Sequence, residues 1–426
     1  MIRTLFATRN ILLLILLLDS SCLFLTDDKK AGIPYLRELF IVMVLASALL
    51  LMLTWKRVHH SRTAVWITIF GLGLPSLSAV LAHLSLGQPI LYGLLEERRS
   101  FLYLLFFPFY FLMIKLQPTQ RQLEQFFLVS GLACVVVGFC YYLGIVSPNT
   151  NVSFNVDEKD FGNNPLRPDR YRIGTGYLSL CAFMLMYSLK RRITAWKVVL
   201  LLAFAADLWL INQTRNVMVI WAAAGMWIFR DRPAMLLKMA AMAFGLLLVA
   251  YAIKPEFFIN QYEKLTALVS EAADSPSVRA TTISIILREV QSHWFTGMGA
   301  LSLQWEGGFS NLYSSYFYLS DVGILGVYYR FGILTPFIAL LYYIGFWRIM
   351  RQCRAQGDLL AAFKLDFTFA FFNLVLSNSI MYGGEISGIS AAIFLYLARQ
   401  PNAATTSTHQ EPMANGPVQH RHYQPQ

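Results

Sequence analysis

Charge is what this chain has least of. Only 14% of its 426 residues are Asp, Glu, Lys or Arg, against roughly 25% in an ordinary soluble domain. Mean hydropathy is +0.50, and apolar runs recur along nearly the whole sequence, many reaching the ~20 residues that cross ~30 Å of hydrocarbon. A soluble multidomain protein is thereby excluded. Cysteine is scarce as well: Cys22, Cys134, Cys140 and Cys181 sit in apolar segments and Cys353 in a basic loop, so no disulfide framework is expected. The sequence has no metal-ligand cluster, no Asp-x-Asp pair in its polar loops and no nucleotide-type glycine pattern, which disfavours metal-dependent transfer from a nucleotide sugar. Gly297-Met298-Gly299 and Gly307-Gly308 read as turns only. No internal repeat and no paired Gly/Pro-broken helices are found, which weakens a secondary-transporter reading.

What is present defines an all-α polytopic membrane protein with about twelve transmembrane helices in a single domain, residues 1–399. The expected spans cover about 10–25, 34–54, 63–84, 101–116, 123–146, 173–189, 196–213, 215–229, 235–253, 318–347, 361–379 and 385–399. The first follows Arg3 and Arg9 and reads as a retained helix rather than a cleaved signal, since no small-x-small cleavage site follows it. Leu319–Trp347 reads as one long or broken helix containing Arg330.

Orientation follows from the short loops. The clusters Lys56/Arg57/Arg62, Lys115/Arg121, Lys190/Arg191/Arg192/Lys197, Arg230/Arg232/Lys238 and Arg348/Arg351/Arg354 all fall on the cytoplasmic side if the N-terminus is inside and the spans number twelve. The net charge of +11 thus reflects topology, with no nucleic-acid partner implied. Two long loops, about 147–172 and 254–317, then face the periplasm, and the polar tail 400–426 is expected to be disordered and cytoplasmic.

Arginines on the outer face run against the positive-inside bias. They are Arg167, Arg170 and Arg172 in the first loop, Arg215 at a helix mouth, Arg279 and Arg288 in the second loop, and Arg330. Arginine keeps its charge and presents a planar fork of donors that matches phosphate; the plain alternative is pairing with a nearby carboxylate. Within Ser277–Trp294, Ile283, Ile286, Leu287, Val290 and Trp294 recur at helical spacing, predicting an amphipathic helix at the membrane surface. Arg279 and Arg288 stand on opposite faces of such a helix, and Arg279 and His293 lie ~21 Å apart along its axis. Intramembrane carboxylates are functional candidates too: Asp321 and Glu385 for catalysis or structure, and Asp207 for an interhelical ion pair with an outer arginine. Arg37 and Glu38 mark the outer end of the second span.

In order and placement these features resemble the O-antigen polymerase and ligase superfamily, the Wzy-type polymerases and WaaL-type ligases. Thr214-Arg215 resembles the family's Ser-Arg motif. Val278-Arg279, the amphipathic stretch and Phe295-Thr296-Gly297-Met298-Gly299 resemble its large-loop segment, Arg288 to Gly299 fits an Arg-x10-Gly spacing, and Ser320–Gly326 resembles the helix after that loop. The likeness covers roughly residues 170–350. Ligases of the family carry a histidine before an Asn in the large loop; here Phe309-Ser310-Asn311 stands instead, which favours a polymerase.

The resemblance implies a glycosyltransferase that joins undecaprenyl-pyrophosphate-linked oligosaccharides at the periplasmic face of a bacterial inner membrane, with no cofactor. A chain-length regulator and a flippase are its implied partners. It would assign Arg215, Arg279 and Arg288 to stabilising the leaving diphosphate. His293, Asp321 and Glu385 become candidate bases; Arg167, Arg170, Arg172 and Arg330 would bind the anion, and Trp305 and Tyr313 would stack on sugar rings. A lipid-linked sugar flippase, a peptidoglycan glycosyltransferase and a structural membrane subunit are the alternatives.

Overall fold

The computed structural model describes residues 10–23, 32–33, 35–55, 61–146, 171–256, 258–260, 262–263, 278–302, 304–314, 317–374 and 379–400. Most of the first long loop, 147–170, and the tail from 401 onward lie outside the described residues. Among those described, every regular element is helical. In chain order they are α1 (Asn10–Asp19), α2 (Leu36–Thr54), α3 (Arg62–Leu86), α4 (Ile90–Glu96), α5 (Arg98–Leu116), α6 (Gln120–Tyr142), α7 (Thr175–Arg191) and α8 (Ala195–Asn212). After these come α9 (Arg215–Phe229), α10 (Pro233–Ile253), α11 (Val278–His293), α12 (Gly308–Leu312), α13 (Ile324–Gln352), α14 (Asp358–Asn373), α15 (Ser379–Tyr382) and α16 (Gly384–Arg399).

The expectation of a helical membrane protein is met, with part of the span count carried by the described helices. Each predicted segment holds a helix, yet only 6 described helices, α2, α3, α5, α6, α8 and α13, are both long and apolar enough to cross a membrane. Of the other described helices, α10 has 21 residues, α7 has 17, α16 has 16, and the described parts of α14 and α1 have 16 and 10. At 1.5 Å per residue a 16-residue helix covers about 24 Å, below a ~30 Å core. The chain is thus a helical membrane protein whose long spans are supplemented by shorter, heavily buried helices.

Local chemistry explains the boundaries and breaks. Thr119 and Gln122 form a reciprocal capping box at the start of α6, and Ser61 accepts from the Ala64 N–H at the start of α3. Within α3 the turn Ile69–Gly73 widens to π geometry just before Pro75, whose missing N–H removes one ladder bond. The expected broken helix is found in α13: Gly332, at φ 51°, interrupts it after Phe331. In α11 the buried stripe is Thr282, Ile285 and Ile286, whereas Leu287 and Trp294 are each 54% exposed. Those last two were expected on the apolar face. The stripe at i, i+3 and i+4 from Thr282 won because it meets Met298, Phe317 and Val322 in a satellite core.

Two sets of contacts define the ends of the bundle. At one end Tyr396 Oη donates to Pro118 O at 3.0 Å and Gln120 Nε2 to Gln356 O at 3.0 Å. There too Arg191 pairs with Asp358, and Lys190 with Asp231 at 2.7 Å. The basic loops after α5, α7, α9 and α13 therefore share an end, as their charge pattern predicted. At the other end α16 presses on α5: a Cβ on Gly384 would sit 2.9 Å from Arg99 O, and one on Gly388 2.6 Å from Tyr103 O. Small residues four apart let the two backbones touch, and this close approach delivers Tyr382 and Glu385 to the start of α5.

Candidate functional site

At that second end the chain buries a charge. Arg330, in the first segment of α13, is 1% exposed, and its Nε lies 2.8 Å from Glu97 Oε1, in the link between α4 and α5. Ser78 Oγ in α3 donates to the same carboxylate oxygen at 2.9 Å. Arg330 Nη2 donates to Tyr382 Oη at 2.9 Å, and its guanidinium carbon lies 5.5 Å from the Tyr382 ring. Nη1 has no acceptor among the described residues, and the Nε contact is ionic without hydrogen-bond alignment. A buried guanidinium with donors to spare is uncommon and asks for an explanation.

Two further arginines converge on the same few residues. Arg99 lies over the Tyr382 ring at 5.9 Å. Arg37, at the start of α2, pairs with Glu385 at 3.4 Å, with side-chain exposures of 12% and 30%. Asp19, buried and accepting from Tyr177 Oη at 2.7 Å, is within electrostatic range of both Arg37 and Glu385. Glu96, in the short α4 outside the spanning helices, is pushed above the ordinary carboxylate range, chiefly by burial; Arg98 opposes this, Glu97 adds to it, and Arg330 and Arg99 oppose it. Carboxylates and guanidiniums thus alternate around Tyr382 in a partly enclosed, low-dielectric corner, where each charge acts more strongly than in water.

A strap from the second loop closes over this corner. Met298 N–H donates to Tyr329 O at 2.7 Å and Gly299 N–H to Arg330 O at 3.1 Å. A Cβ on Gly299, at φ +71°, would overlap Ser78 O and Ala82 N in α3, and one on Gly297 would press on the Arg330 carbonyl. The two glycines, expected only to turn the chain, let the strap pass between α3 and α13. Gln88, 0% exposed, fastens the next residues of the strap: its Nε2 donates to Ala300 O at 3.1 Å and its Oε1 accepts from Ser302 N–H at 2.8 Å. Tyr313 Oη meets Tyr329 Oη at 3.0 Å, tying the loop to the residue preceding Arg330.

The sequence-derived candidates divide. Arg330 and Glu385 belong to the cluster, and Tyr313 reaches it through Tyr329. Arg279 and Arg288 stand exposed on α11, Arg288 paired with the adjacent Glu289 at 3.1 Å. His293 Nδ1 meets the Oγ of neighbouring Ser292 at 2.9 Å, and exposed Asp321 accepts from Ser320 at 3.2 Å. Trp305 is half-buried beside the satellite core, and Arg172 is exposed just before α7. Arg167 and Arg170 lie outside the described residues; Arg215 begins α9, its side chain likewise outside them. Among the described residues Asp207 has no arginine partner, and its Oδ2 accepts from Asn212 Nδ2 at 2.7 Å. An amide at the far end of a π-type turn supplies the partner that an outer cation was expected to give. The sequence pattern did not single out Arg37, Glu97, Arg99, Ser78 and Tyr382 as site residues; the run Glu96-Glu97-Arg98-Arg99 between two apolar segments was the available signal.

Comparison with protein-family models, with characterised proteins and with solved structures gives no match.

Proposed function

We propose that the chain is a membrane-embedded glycosyltransferase that joins lipid-diphosphate-linked oligosaccharides into a longer glycan, at the periplasmic face of a bacterial inner membrane with both termini cytoplasmic. The supporting observation is the convergence of Arg37, Arg99 and Arg330 on Tyr382–Glu385, where Arg330 keeps a buried donor without an acceptor among the described residues. Diphosphate oxygens suit such a corner, since guanidinium edges match phosphate and a low dielectric strengthens the contact. In the reaction, the acceptor sugar's hydroxyl oxygen bonds to the donor's anomeric carbon as the bond from that carbon to the diphosphate oxygen breaks. The electron pair leaves with the diphosphate, and the hydroxyl proton passes to a base. Arginines aimed at the departing oxygens stabilise the developing charge, by ~3 kcal/mol for one well-placed donor. Of the three expected bases, Glu385 is the one that adjoins the arginines in the described contacts.

Deleting the gene and displaying surface polysaccharide on a gel tests the reading. The deletion should leave single repeat units and abolish the ladder, and R99A or R330M should do the same at normal expression. R215A and R279A test the positions to which the family resemblance points. A deletion strain with no surface repeat at all would mark a flippase instead, and normal ladders in R99A and R330M would remove the site.

A further inference from the structure

The opposite end of the bundle carries a second pattern, in which cations lie over aromatic rings, three of them exposed tryptophans. The Arg230 guanidinium is 4.3 Å from the Trp227 ring centroid and that of Arg351 4.4 Å from Trp347; Lys197 Nζ is 5.8 Å from Trp196. These tryptophans are 57%, 49% and 54% exposed, on helices that pack their other faces into the bundle. Lys115 lies 5.8 Å over Phe111, and Arg399 5.6 Å over Tyr110, which stacks on Trp55 at 5.7 Å. The pairs come from α5, α8, α9, α13 and α16, at the level of the basic loops.

An excess of cations at one membrane face accounts for the charge but not for this arrangement. Among the described residues, Lys115, Arg351 and Arg399 have no carboxylate partner. Arg230 meets Asp231 at 3.3 Å, but the other oxygen of Asp231 is held by Lys190 at 2.7 Å. A guanidinium held over an indole still has N–H donors directed away from the ring, and such donors are the part that grips a phosphate. Trp196, Trp227 and Trp347 stand at the basic ends of apolar helices, the level at which amphipathic rings and long cationic side chains are expected to meet headgroups. We propose that these aromatic–cation pairs form a set of binding sites for anionic phospholipid headgroups, independent of the arginine cluster at the other end. Phosphatidylglycerol-type lipids suit the sites better than zwitterionic ones, because the latter carry their own cation beside the phosphate.

The full chain, reconstituted in nanodiscs of phosphatidylcholine with or without phosphatidylglycerol and then transferred to detergent, is analysed by native mass spectrometry for retained lipid. Wild type should retain phosphatidylglycerol in preference to phosphatidylcholine. K197Q/R230Q/R351Q should lose most of that preference, with affinity falling roughly fivefold per cation removed, and K254Q should leave it intact. Single R230Q and R351Q, on exposed positions, serve if the triple variant does not accumulate. Equal retention of both lipids by wild type, or unchanged preference in the variants, overturns the proposal. Displacement of the lipid by equimolar inorganic phosphate would assign the sites to free phosphate and overturn it likewise.

Discussion

The Arg330–Glu97 pair lends itself to a quantitative test, because both partners are nearly inaccessible: 1% and 2% exposed. In Glu97→Gln the side-chain carbonyl still accepts from Ser78, but the charge facing Arg330 is gone. Breaking a buried pair by removing one partner costs about 3–5 kcal/mol, since the remaining charge is left uncompensated. Arg330→Met keeps the bulk of the side chain and leaves Glu97 as the stranded charge, at a similar cost. R330M/E97Q strands neither, so most of both single losses should be recovered, a coupling of at least ~3 kcal/mol, the top of the range for neighbours in contact. Reversible unfolding in mixed micelles with increasing sodium dodecyl sulfate measures all four proteins. A double-variant cost equal to the sum within ~0.5 kcal/mol would refute the coupling. The double variant also separates folding from chemistry: it should be close to wild type in stability and still be unable to elongate a glycan.

Other perturbations read the neighbouring structure. Gly299→Ala should displace the strap, because its Cβ meets α3 backbone and its φ is +71°; faster proteolysis between residues 294 and 318 would register this, and unchanged digestion would contradict it. Gln88→Leu strands Ala300 O and the Ser302 N–H, at about 1–3 kcal/mol for each buried group left unsatisfied, and should show the same cleavage with a lowered unfolding midpoint. Glu96 has its folded pKa raised, mainly by burial, so its contribution to stability is present below the unfolded carboxylate value and lost as pH rises through the folded one. Glu96→Gln should therefore gain stability over wild type at pH 8 and show no gain at pH 4; thermal inactivation at the two values decides, and an equal gain at both would contradict the burial argument.

Much of the architecture was legible in local pattern. Twelve apolar segments each hold a helix because span-length hydrophobicity and caps such as Thr119–Gln122 act over a few residues. The gathering of basic loops at one end followed from charge alone. Arg330 stood out as a lone charge inside an apolar stretch, and the break beside it came from Gly332. The partners of Arg330 were hidden, since Ser78, Glu97 and Tyr382 come from three separate segments and no periodicity links them. Burial was less legible: α7 and α16 are among the most completely buried helices, because packing inside a bundle rather than lipid exposure sets their composition. The two glycines of the strap looked like turn residues because positive φ is a local property, whereas the backbone contact each makes is a tertiary one.

The most direct measurement is elongation by the purified chain. Wild type and R330M/E97Q would be reconstituted separately in nanodiscs with a lipid-diphosphate-linked oligosaccharide, and the glycan released and sized on a gel. The account predicts a ladder from wild type and single units from the equally stable double variant. No elongation by wild type, or a ladder of equal length from both, would contradict it.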